Sequence, residues 1–155
     1  MRRLSFLFAT LLAVGACGGS GSRGSILQPA VELNKVAVRS LGLLGGNLDV
    51  VLQVTNPNPF SIQGTRLDLG LDLQGTHFGD VVLNDAFNLP QDQPTRVVVP
   101  LSFKWTGVGQ AARGILDYGE LNYVMQGRGY YQTPVGEVRI PFTRQGSVTI
   151  TSLGR

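Results

Sequence analysis

Residues 48–60 read Leu-Asp-Val-Val-Leu-Gln-Val-Thr-Asn-Pro-Asn-Pro-Phe, a strand halted by a doubled Asn-Pro, and no other stretch constrains the fold as tightly. Leu48, Val50, Leu52 and Val54 alternate with Asp49, Gln53 and Thr55, the period of two that puts one strand face in a core. Val51 is the apolar exception. Pro57 and Pro59 each remove a ladder donor and push the preceding asparagine into extended or turn geometry, where its amide can satisfy nearby backbone groups. The chain is thereby forced off the sheet at a fixed place. Asn56, Pro57, Asn58, Pro59 and Phe60 read as a structural turn, with a recognition loop at one end of the fold as the alternative.

Short apolar alternations separated by Gly, Pro and Asn continue along the chain, at the spacing of an all-β fold. Strands are expected near 31–39, 47–55, 64–74, 78–83, 86–89, 95–104, 120–131, 136–142 and 147–151. Leu67, Leu69, Leu71 and Leu73 give the cleanest inward phase, with Asp68 and Asp72 opposite; Val97, Val99, Leu101, Phe103 and Trp105 repeat it. Pro100 and Pro141 fall on outward phases, which places them at sheet edges or bulges. Between them, Val108, Ala111, Ala112, Ile115 and Leu116 recur at helical spacing, with Thr106 as N-cap and Gly119 as stop. One short α-helix is expected to cover an end of the fold.

A strand ending in Asn-Pro-Asn-Pro-Phe, followed by this order of strands, a helical stretch, a Tyr-rich strand and Val138-Arg139-Ile140-Pro141-Phe142 before Gly146, resembles the group 2 late embryogenesis abundant family, or WHy domain. The resemblance runs along roughly residues 31–150. It implies an immunoglobulin-like or fibronectin-III-like β-sandwich of about seven strands, occupying residues 30–155, and a role in desiccation and related water stress.

The N-terminus carries Arg2 and Arg3, an apolar run over residues 4–14, then Gly15-Ala16-Cys17. That order is an export signal. Val14-Gly15-Ala16 before Cys17 resembles a bacterial lipobox, which implies cleavage after residue 16 and acylation of Cys17. An ordinary signal peptide would leave the chain's one cysteine as an unpaired thiol in an oxidising compartment. Residues 17–29 begin with a Gly/Ser-rich stretch that reads as a flexible tether, and nothing after Ala16 is long and apolar enough to span a bilayer. Gly18 is not the aspartate that retains lipoproteins at the inner membrane, so the expected address is the inner leaflet of the outer membrane, facing the periplasm.

Without residues 1–16 the 155-residue chain keeps 139, enough for one domain and too few for two. Arg2 and Arg3 supply two of the 13 basic residues, so the remainder carries 11 against 10 acidic ones, a net of +1. No clustered basic face for nucleic acid is expected from that balance. His77, beside Phe78 in a Gly-rich turn region, is the sole histidine and reads as a surface residue rather than a catalytic base. One histidine and no free cysteine cannot supply a zinc site. Asp80, Asn84, Asp85 and Asn88 lack calcium-loop spacing, and Asp68 with Asp72 reads as a solvated strand face. Gly127-Arg128-Gly129 is no phosphate loop, since no strand-to-helix turn surrounds it. Trp105, Tyr118, Tyr123, Tyr130 and Tyr131 read as core and edge aromatics, with a binding face as the alternative. No catalytic residue, cofactor or metal is expected. The functional expectation is a non-enzymatic, membrane-anchored stress protein; the alternative is a periplasmic binding module for a lipid, another apolar ligand or an envelope protein.

Overall fold

The alternating segments form eight strands in the computed structural model, which describes residues 26–109, 112–117 and 119–152. In chain order they are β1 (Ala30–Leu41), β2 (Gly45–Thr55), β3 (Ile62–Leu73), β4 (Thr76–Leu83), β5 (Phe87–Leu89), β6 (Pro94–Lys104), β7 (Glu120–Thr133) and β8 (Gly136–Ser152). Two single helical turns, α1 (Trp105–Val108) and α2 (Ala112–Ile115), lie between β6 and β7.

The hydrogen-bonded path is β4-β3-β7-β8-β1-β2-β6, with β5 added to β3. Its two ends, β4 and β6, pack alongside each other, and Phe78 meets Phe103 edge to face at 5.3 Å between ring centroids. The result is a nearly closed, barrel-like sheet. Where the sequence suggests a sandwich of two sheets, one strand joins the two flanks. β8 pairs antiparallel with β7 from Gly136 to Thr149, then runs parallel to β1 through Val36↔Ile150, Ala37↔Thr151 and Val38↔Ser152. The two segments expected at 136–142 and 147–151 are therefore a single strand. Pro141 does not break it: the residue is exposed, pairs with Arg128 of β7, and lies where β8 has no described ladder to β1. Side chains bridge that gap, Arg144 Nε donating to the Val31 carbonyl (2.9 Å) and Gln28 Nε2 to the Pro141 carbonyl (3.0 Å). Pro100 lies on β6, an end of the path, where a missing donor is tolerated.

Leu48, Val50, Leu52 and Val54 of β2, Leu67, Leu69, Leu71 and Leu73 of β3, and Val97, Val99, Leu101 and Phe103 of β6 all face the core. β1 changes phase. Val31 and Leu33 point inward, then a register shift at Asn34 hands the inward positions to Val36 and Val38, as a bulge does. Val51, on the opposite face from the core set, is buried as well.

The helical segment differs from expectation at its start. α1 begins at Trp105 with Lys104 as N-cap and no side-chain cap, so Thr106 lies inside the turn. Gly109, at φ 84, ends α1 after four residues; glycine adopts that backbone without penalty. Trp105, Ala112 and Leu116 nonetheless reach the core.

Candidate functional site

The Asn-Pro-Asn-Pro corner leaves β2 at the pole where β1 begins. Ala30 is in register with Thr55 there. Asn56 and Asn58 are buried, at 0% and 2% exposure. Asn56 Nδ2 donates to the carbonyls of Phe60 (2.7 Å) and Leu89 (3.0 Å). Its Oδ1 accepts from the backbone N–H (3.0 Å) and the Nδ2 (2.8 Å) of Asn58. Asn58 then clasps the incoming chain, accepting from the Leu27 N–H at 2.8 Å and donating to the Leu27 carbonyl at 2.9 Å. The Asn56 carbonyl takes the Asp92 N–H at 2.8 Å. Three separate segments are thus tied through two amide side chains, which point into the fold. Pro57 and Pro59 are exposed, and Phe60 packs against the core edge. Cys17 lies outside the described residues.

His77 sits just past the β3–β4 turn. Gln74 and Gly75 both take positive φ, 48° and 74°, the two-residue hairpin geometry that suits twisted strands. The turn brings Asp72 against His77, Oδ1 to Nδ1 at 2.6 Å, while Asp80 Oδ2 reaches Nε2 at 3.2 Å. The Asp72 hydrogen bond raises the histidine's proton affinity; burial opposes it, and Asp80 adds to it. Both ring nitrogens are engaged by carboxylates, so the imidazole is set up as a held cation rather than a base for a neighbouring hydroxyl. Asp80 is thereby taken, and Asn84, Asp85 and Asn88 are exposed. No cluster of three or more metal-capable His, Cys, Asp or Glu side chains occurs among the described residues.

Asp68 and Asp72 share a strand face without acting together. Asp68 accepts from Arg66 Nε at 2.6 Å and from the Tyr130 hydroxyl at 3.1 Å, and the Arg66 hydrogen bond holds its carboxyl below the usual range. The Tyr130 ring lies beside the guanidinium groups of Arg66 and Arg139, at 5.2 and 5.6 Å from its centroid. Tyr131, its neighbour on the other face, is 1% exposed, and burial pushes its hydroxyl up to about 12. Trp105 is core, Tyr123 packs against the core, and Tyr118 lies outside the described residues. These aromatics divide between interior and exterior, so they form no single binding face. Gly127 and Gly129 lie within β7, and Arg128 projects outward between them.

One feature of the surface carries no counterpart in the sequence reading. The β1–β2 hairpin ends in Leu41-Gly42-Leu43-Leu44-Gly45, with Leu43 88% and Leu44 85% exposed and Leu41 half exposed. The signal was present: a Gly-rich turn filled with leucines where polar turn formers are usual. The tip is braced. Gly42 N–H donates to the Gly45 carbonyl (2.8 Å), Trp105 N–H to the Leu44 carbonyl (3.0 Å) and Trp105 Nε1 to the Gly42 carbonyl (2.8 Å). A side chain at Gly45 would collide with the Phe103 carbonyl, so β6 can approach only a glycine there. Leu41, Leu44, Phe103 and Lys104 help line an open groove of about 710 Å³ beneath the tip.

A family model described as late embryogenesis abundant protein matches residues 51–146, more than half of the chain. The chain belongs to the late embryogenesis abundant family, group 2. A solution structure of an Arabidopsis thaliana protein shares its fold, at 18% identity and TM-score 0.56, covering 84% of this chain and 87% of that one. Two further solved structures are similar to this family member over 81% of its length. One is a crystal structure of an Archaeoglobus fulgidus protein (12% identity, 97% of that chain, TM-score 0.48), the other a solution structure of a candidate late embryogenesis abundant protein (17%, 73%, 0.42). No curated protein matches the chain by sequence.

Proposed function

We propose that this late embryogenesis abundant protein is a non-enzymatic, lipid-anchored factor of dehydration stress that shields membranes or envelope proteins as water is lost. The family match over residues 51–146 carries the reading. Physical support comes from how the side chains are used. The barrel interior is filled by packed aliphatic and aromatic residues, and the one histidine has both ring nitrogens against carboxylates, an arrangement that favours a durable fold over turnover. Acylation at Cys17 would hold the domain in the bacterial envelope, with the outer membrane's periplasmic leaflet as the proposed address. Stable anchoring needs no spanning helix when several acyl chains insert.

The test is recovery of a labile enzyme after drying and rehydration with chain 18–155, which contains every described residue of the barrel, against an equal mass of an unrelated folded protein. Recovery above that control is expected; equal recovery refutes direct shielding. In cells, Cys17→Ser is expected to turn membrane attachment that survives a high-salt wash into attachment that the wash removes; attachment that still survives the wash refutes anchoring at Cys17.

A further inference from the structure

We infer that the β1–β2 tip is a docking element for an anionic phospholipid surface, a role distinct from the shielding proposed above. Three observations converge on that occupant. Leu43 and Leu44 stand at the end of the hairpin, 88% and 85% exposed, beside the groove they help line; apolar side chains so far out in solvent can enter a deformable apolar phase directly. Three tip backbone groups that would resist leaving water have partners inside the protein. Gly42 N–H is bonded to the Gly45 carbonyl, and the Gly42 and Leu44 carbonyls are held by the two Trp105 donors. Backbone polar groups with internal partners are what entry into a lipid phase demands. The same bonds fix the leucines outward, so no ordering step precedes insertion.

The charge behind the apex has the complementary sign. Lys104 is the one charged side chain lining the groove under the tip. A short way along the hairpin Arg39, its side chain 59% exposed, is paired with Asp49 at 2.6 Å, so the two together add no net charge. One uncompensated cation, Lys104, therefore lies behind the leucines, and a basic residue near an anionic membrane contributes about 1 kcal/mol, or roughly fivefold in binding.

The tip needs no anchor to bind. The tether enters beside Asn58, at the pole opposite the tip. β1 spans about 35–40 Å over its twelve residues, and residues 17–27 fully extended reach about 35 Å. The tether's full reach is thus no greater than the length of β1, so the tip docks on a membrane other than the patch that holds Cys17, or with the barrel tilted onto its side.

The experiment measures co-sedimentation of chain 18–155 with phosphatidylglycerol vesicles and with phosphatidylcholine vesicles, alongside sedimentation velocity without lipid. Binding to phosphatidylglycerol is expected, with weaker binding to phosphatidylcholine. Leu43→Asp/Leu44→Asp should weaken binding about 100-fold while leaving the melting temperature unchanged, because both side chains are solvent-facing. Lys104→Gln should remove about fivefold of the preference for phosphatidylglycerol. A polarity-sensitive fluorophore on Leu43→Cys, the only thiol in that chain, should shift to the blue on vesicles and stay unshifted on the same substitution at Val135, at the other pole. Three results overturn the assignment: wild-type protein left in the supernatant, binding that survives the double substitution, or a concentration-dependent dimer without lipid that the double substitution abolishes. The last would mark the tip as a contact between copies of the chain. Failure here leaves the drying assay's result untouched, so the two proposals are separable.

Discussion

Replacing Asn56 by alanine should be among the most damaging single changes to this fold, although it deletes few atoms. The side chain is fully buried and makes four hydrogen bonds. Alanine leaves the Phe60 and Leu89 carbonyls, the Asn58 N–H and one Asn58 amide proton without those partners, and no water enters a site with zero exposure unless the corner opens. Each buried orphan costs about 1–3 kcal/mol. Some recover through relaxation, so a loss of about 4 kcal/mol is expected, a large share of the 5–15 kcal/mol typical of a domain. Urea unfolding measures it: with a slope of about 2 kcal/mol per molar, the midpoint should fall by about 2 M at unchanged slope. Asn47→Ala is the matched control, since Asn47 bonds Ser40 and Ser102 hydroxyls at an exposed rung, and it should lose no more than about 0.5 kcal/mol. Asn56→Asp adds a sign. A carboxylate there would face two carbonyl oxygens in a buried site, so its folded pKa rises, the native state binds the extra proton, and stability falls as pH increases. The variant should partly recover in acid and be weakest near neutrality. A loss under about 1 kcal/mol for Asn56→Ala would refute the view that this amide network holds the corner.

The remaining predictions concern other parts of the barrel. With its hydroxyl raised to about 12 from 10.0, Tyr131 contributes stability that is complete below pH 10 and lost as pH climbs through 12, about 3 kcal/mol in all; an ultraviolet titration of the wild type should show an ionisation near pH 12 that Tyr131→Phe lacks. His77 has a raised folded pKa, so its clasp stabilises fully below pH 6.5 and weakens as pH rises through the higher folded value. His77→Gln should flatten the melting-temperature profile above pH 6.5, and an unchanged slope would show that the clasp contributes nothing. Gly45→Ala should force β2 and β6 apart at the tip, lowering stability by about 1–3 kcal/mol, measurable by thermal melting. Phe142→Ala, emptying a site that is 5% exposed, should lose about 3–5 kcal/mol in urea unfolding.

Much of the core was legible because the period-two signal is local. Leu48 through Val54 and Leu67 through Leu73 declare their inward faces without reference to any neighbour, and all eight residues of those two sets are buried. What periodicity omits is who pairs with whom. Asp72 and Asp80 belong to different strands, and only the Gln74-Gly75 turn and the register shift at Asp72 bring both to His77. The change of phase at Asn34 likewise hides Val36 and Val38 from a strict alternation count. Two strands are expected at 136–142 and 147–151, with Gly146 in the gap, yet with an open flank on one side and β7 on the other a single strand runs through. At the hairpin tip the reverse holds: leucines in a short turn look like strand residues until the strand ends are known.

The strand shared by both flanks also governs timing. β8 follows every other described strand in the chain, and Val36 must wait for Ile150 before the path can close. Until then β1 and β7 each present an unpaired edge, the situation in which chains join one another instead of themselves. Assembly dominated by such distant pairings is slow, on the order of milliseconds to seconds. The barrel therefore forms as one late event after synthesis of its last strand, and a chain stopped short of β8 has two open edges and no way to cover either.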